Sequence, residues 1–123
     1  MNRKGLTLIE ILVVLGIIGT LAIFALPTYY NFSAQLTLNA AARALAAELR
    51  GLQGQAVLQH KTLRLDLAGR RFPSGIKPVK LSEIGFSSSG FTPPGGSGTL
   101  ILANRFGRQK KIIVSSAGRV RIE

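Results

Sequence analysis

Residues 6–26 form a predominantly apolar run that carries one charge, Glu10, and is closed by Pro27. As an α-helix at about 1.5 Å per residue the run is roughly 30 Å long, the thickness of a bilayer's hydrocarbon. Arg3 and Lys4 precede it, and the excess of basic residues on that side places the N-terminal end in the cytoplasm and exports the rest. A secretory signal peptide has a shorter apolar core followed by a small-residue cleavage site. Here the small residue, Gly5, stands before the run. A cut after Gly5 therefore leaves the apolar helix on the mature protein.

Glu10 makes such a cut informative. A carboxylate in a spanning helix is costly unless paired, and no cation is near once Arg3 and Lys4 are removed. Cleavage after Gly5 creates one, the α-amino group of Leu6, about one helical turn from Glu10. Glu10 can pair with that amine, or with the amine of a neighbouring subunit, or extend to the lipid headgroups.

Lys4-Gly5-Leu6-Thr7-Leu8-Ile9-Glu10 resembles the class III signal of type IV pilins and pseudopilins, whose usual pattern is Gly-Phe-Thr-Leu-(Ile/Val)-Glu; Leu6 is the one departure. The resemblance implies cleavage between Gly5 and Leu6 by a prepilin peptidase, which also methylates the new N-terminus. It also implies a filament of pilin subunits in which Glu10 neutralises a neighbour's N-terminus. Gly16, Gly19 and Pro27 interrupt good helix formers, and such positions serve as helix contacts or bends in lipid. The resemblance implies local melting between Gly19 and Pro27 in the filament.

Beyond Pro27 the apolar residues Leu38, Ala42, Leu45, Leu49, Leu52 and Ala56 step by four and three, marking one face of a second helical half. This predicts a leader at 1–5, a membrane or filament helix at 6–27, an amphipathic continuation at 28–60 with a bend at Pro27, and a β-rich head at 61–123. Alternation at 63–67 predicts a half-buried strand, followed by a turn at Ala68-Gly69. Weaker strands are expected at 70–72, 76–81 and 84–86. Segment 87–98, dense in Ser, Gly and Pro, reads as a mobile loop. Strands at 99–103, 111–115 and 119–122 complete the head. The fold class is α+β: a long N-terminal helical spine packed on a small antiparallel sheet.

The chain has 16 Lys and Arg against 5 Asp and Glu, a formal charge of +11, and no Cys. The charge favours polyanionic partners, and the missing thiols exclude a disulfide scaffold or a Cys-based zinc site. Residues 105–123 hold six basic residues and one acid, Glu123. The layout of Gly98-Thr99-Leu100, a basic hairpin and Gly118-Arg119-Val120-Arg121 is similar to the GspH/FimT family of minor pilins. One branch of that family serves type II secretion pseudopili. The other, in competent bacteria, binds DNA through a C-terminal Gly-Arg-x-Arg motif, which residues 118–121 match.

Strand alternation puts Arg119 and Arg121 on one face and Val120 and Ile122 on the other. Pairing with 111–115 through a three-residue loop sets Ser115 opposite Arg119 and Ile113 opposite Arg121, with Lys111 on the same face. Two Arg on alternate strand positions lie roughly 7 Å apart, close to the spacing of adjacent phosphates on one DNA strand. Arg105, Arg108, Lys110 and Lys111 extend the patch, and Gly118 supplies the turn before it. Aromatic residues are scarce there, so contact with double-stranded DNA is expected through phosphates and not bases.

Catalysis has little support. His60 has no local partner, Asp66 and Glu83 are isolated, and the chain has no P-loop, metal-ligand cluster or dinucleotide fingerprint. The expectation is a non-enzyme without cofactors: an inner-membrane, single-pass minor pilin with a DNA-binding exported head. One alternative is a structural, GspH-like pseudopilin of type II secretion. The other is a membrane-anchored protein for other polyanions.

Overall fold

The computed structural model describes residues 3–67 and 69–123. One helix, α1, spans Arg3–Gln59 and runs through Pro27. Six strands follow: β1 (Leu63–Leu65), β2 (Lys77–Lys80), β3 (Ile84–Phe86), β4 (Gly98–Ala103), β5 (Gln109–Val114) and β6 (Val120–Ile122). The chain divides into two compact units, Met1–Ser33 and Ala34–Glu123.

In the first unit the large apolar side chains from Leu8 to Phe32 are more than half exposed. Among the described residues this is the one helix long and apolar enough to cross a membrane. Pro27 offers no N–H to the helix ladder. Side chains answer some of the local carbonyls instead: Thr28 Oγ1 donates to Phe24 O at 3.2 Å and Asn31 Nδ2 to Pro27 O at 3.1 Å.

The second unit owes its core to the heptad-like spacing of α1. Leu38, Ala42, Leu45, Ala46, Leu49 and Ala56 are buried against Ile84, Phe86, Leu100, Leu102, Ile112, Val114 and Val120. Alanines in this stripe leave room for the sheet's larger residues. The helix stops in a Schellman-type cap. Lys61 N donates to Ala56 O and His60 N to Val57 O, with His60 at φ 52°. His60 is thereby occupied as a helix terminator.

The head holds two antiparallel sheets where one was expected: a two-stranded β1-β3 ribbon and a four-stranded sheet in the order β2-β4-β5-β6. Segment 70–72 is not a strand. Pro73 and Gly75 (φ 86°) close a turn just beyond it, with Ile76 N bonded to Pro73 O at 3.1 Å. Arg70 instead makes an ion pair with Glu48 of α1, and Phe72 packs on the core. The turn expected at 68–69 falls on Ala68, outside the described residues.

Segment 87–98 is tied down at several points, in contrast to the loose loop its composition implied. Ser87 N and Oγ both donate to Phe91 O (2.7 and 2.9 Å), Thr92 Oγ1 to Ser116 O (2.9 Å), and Gly96 N to Pro93 O (2.8 Å). Its polar residues satisfy backbone groups that a solvent-exposed loop would leave to water.

Candidate nucleic-acid interface

The β5-β6 hairpin has the register its sequence predicts. Ile113 pairs with Arg121, Ile112 with Ile122 and Val114 with Val120. Ser115 N donates to Arg119 O at 3.0 Å. Val120 is buried, while Arg119 and Arg121 are exposed. With Ile113, Ser115 and Ala117 the two arginines line a cleft of about 540 Å³.

The turn that starts this strand is fixed from behind. Gly118 is buried with φ 81°. Gln53 Nε2 of α1 donates to Gly90 O at 2.7 Å and to Gly118 O at 3.0 Å. Arg50 Nη2 adds a longer bond to Val120 O, 3.4 Å. A Cβ on Gly118 would overlap the Gly90 carbonyl oxygen and stand 2.7 Å from Gln53 Nε2. Gly118 thus contributes placement, setting the two arginines on their strand.

The remaining basic residues do not gather into one cluster around the motif. Lys111 is exposed on the arginine face. Lys110 is opposite Leu102 and shares the side of Ile112 and Val114, so it faces away from the arginines. Arg105 and Arg108 occupy the hairpin tip, about 14 Å or more along β5 from the Arg121 row. That tip is itself organised. Asn104 Oδ1 accepts from Phe106 N and Arg108 N, both at 3.0 Å, and Arg105 Cζ lies 5.2 Å from the centre of the Phe106 ring. Gln53 and Asn104 were not singled out in the sequence. A lone amide in a helix or loop carries no pattern that announces two backbone acceptors.

Arg121 Nη2 is 3.0 Å from Glu123 Oε1. Both side chains are at least half exposed, so the pair is weak. Its carboxylate nevertheless occupies a donor that a phosphate would use. If this face binds a DNA duplex, Glu123→Gln should raise the affinity about two- to fivefold, as expected for release of a surface ion pair. A titration at fixed salt checks this, and unchanged or lower affinity would show that Glu123 does not compete.

At the other end of the chain, Gly5 lies within α1, and a Cβ there would meet nothing within 4 Å. Glu10 is exposed on the same helix. The side chain of Leu6 lies outside the described residues. Among the described residues no cluster of His, Asp or Glu could hold a metal ion.

Residues 1–26 match the prokaryotic N-terminal methylation motif. The full chain is similar to the pilin-like protein PilA1 of Thermus thermophilus, 29% identical over 160 aligned positions that cover 100% of both proteins. No solved structure matches. The pilin family implies assembly with other pilin subunits, and the large apolar side chains on the helix of the first unit are exposed. The matched motif and the full-length likeness support a type IV pilin-like protein, and the helix-and-antiparallel-sheet layout agrees with it.

Proposed function

We propose that this is a minor pilin of the GspH/FimT kind whose head binds double-stranded DNA through its phosphates during uptake. The observation that carries this reading is the pair of outward arginines, Arg119 and Arg121, on a strand whose reverse face is locked into the core. Arginine's planar fork of donors suits phosphate oxygens. The cleft beside the pair is open to a backbone. In the same reading a prepilin peptidase cuts after Gly5 and methylates Leu6. The apolar helix holds the protein in the inner membrane with its N-terminus in the cytoplasm and its head exported, until Glu10 pairs with a neighbour's amine in the filament.

The test is duplex binding by the full chain in neutral detergent micelles, followed across a salt series. Log affinity should fall linearly with log salt. Arg119→Ala and Arg121→Ala should each reduce the slope by roughly 0.9 and weaken binding of all sequences about tenfold. The double variant should lose most binding while remaining folded. Arg→Lys at both positions separates charge from fork geometry. If the folded wild type shows no duplex affinity at low salt, the structural, secretion-type pseudopilin replaces this reading.

A further inference from the structure

Two lysines far upstream in the sequence reach the arginine face through an irregularity in β2. Lys77 pairs with Ala103 and Lys80 with Ile101, and the register shifts between Pro78 and Lys80. In a regular strand, residues three apart point to opposite faces. The bulge absorbs one residue, and both lysines then share the face of their partners Ala103 and Ile101.

That face continues across the sheet. Ile101 pairs with Lys111, and Lys111 exchanges both backbone hydrogen bonds with Glu123. The neighbouring row runs Thr99, Ile113, Arg121. Directly opposed residues lie on one side of an antiparallel sheet. Lys77, Lys80, Lys111 and Arg121 therefore all stand opposite the buried side that carries Leu100, Leu102, Ile112 and Val114. All four are exposed.

We infer that this outer face is one continuous phosphate track, from Arg119 just before β6 and Arg121 on it, through Lys111 on β5, to Lys80 and Lys77 on β2, along which a DNA duplex lies across the strands. The inference rests on the reading of β6 as a DNA-binding strand and extends its site to the opposite edge of the sheet. Three strand spacings separate β6 from β2, about 14 Å, or the axial rise of roughly four base pairs. The four strands of this sheet carry no acid, and Glu123, just beyond β6, is held by Arg121. Among the described residues no carboxylate pairs with Lys77, Lys80 or Lys111. Such a face meets a polyanion with few charges to displace.

The experiment compares two double variants of the full chain in neutral detergent, using a 30-base-pair duplex. Lys77→Ala/Lys80→Ala removes two charges from the track. Lys61→Ala/Arg71→Ala removes two exposed charges outside the sheet. The track variant should lower the slope of log affinity against log salt by nearly 2, at roughly 0.9 per phosphate. Its affinity should fall at least tenfold, with thermal unfolding unchanged. The off-sheet variant should match wild type, and Lys77→Arg/Lys80→Arg should retain the slope. If the track variant binds like wild type while Arg119→Ala/Arg121→Ala does not, the track is wrong and the arginine strand alone is the site. Equal losses in both double variants would reveal a diffuse field and also overturn the track. A wild type that fails to bind at low salt removes the track and the parent reading together.

Discussion

Gly118→Ala should destabilise the head by roughly 2–4 kcal/mol, combining left-handed backbone strain with a displaced hydrogen-bond partner. For a unit of this size such a loss lowers the melting temperature by about 10–20 °C. The reason lies in what surrounds the residue. At φ 81° an L side chain is strained, and its Cβ would claim the space of the Gly90 carbonyl and the Gln53 amide. Gly95 is the matched control: its φ is 77°, but a Cβ there would meet nothing within 4 Å. Gly95→Ala should therefore pay strain alone, about 1–2 kcal/mol. Thermal melts of both variants in detergent give the comparison. If the two are equally mild, the contact of Gln53 does not constrain this turn. DNA affinity should also fall in Gly118→Ala, because the arginine strand starts at that turn.

Gly5→Arg should abolish most processing and leave an unmethylated N-terminus bearing residues 1–5. The structure strengthens the interpretation of that result. The helix already spans this position, and a Cβ there would meet nothing within 4 Å. Gly5 is exposed on the helix, so the expected effect of the substitution is on recognition by the peptidase. Mass spectrometry of protein from the native host reads out the result: wild type should begin at N-methylated Leu6, the variant at or near Met1. Normal cleavage of Gly5→Arg, or a wild-type cut beyond Leu26, would remove the processing assignment.

The parts of this fold that were legible in the sequence are those whose determinants are local. The four-and-three steps from Leu38 to Ala56 mark the buried helix face, because helical geometry needs no distant partner. The register of Ile113 with Arg121 followed from a three-residue connection that allows little else. The division into two sheets was not legible. Leu63 finds Phe86 across an intervening segment, and nothing in either short strand names the other. Lys77 and Lys80 were missed for a sharper reason: strict alternation assigns them to opposite faces, and only the bulge reverses that. Lys110 shows the converse, since alternation alone removes it from the patch that charge clustering put it in.

The clamp of Gln53 and Arg50 on the back of the arginine strand also bears on how this surface can change over time. Val120 supplies the buried side chain, and Gln53 and Arg50 hold the backbone carbonyls of Gly118 and Val120, so the side chains of Arg119 and Arg121 carry no share of the core. Exposed positions of this sort change stability by about 0.5 kcal/mol or less when substituted. The scaffold can therefore exchange its front residues almost without penalty to folding. Paralogues with the same helix and hairpin can diverge in ligand, or lose one, by point substitution alone.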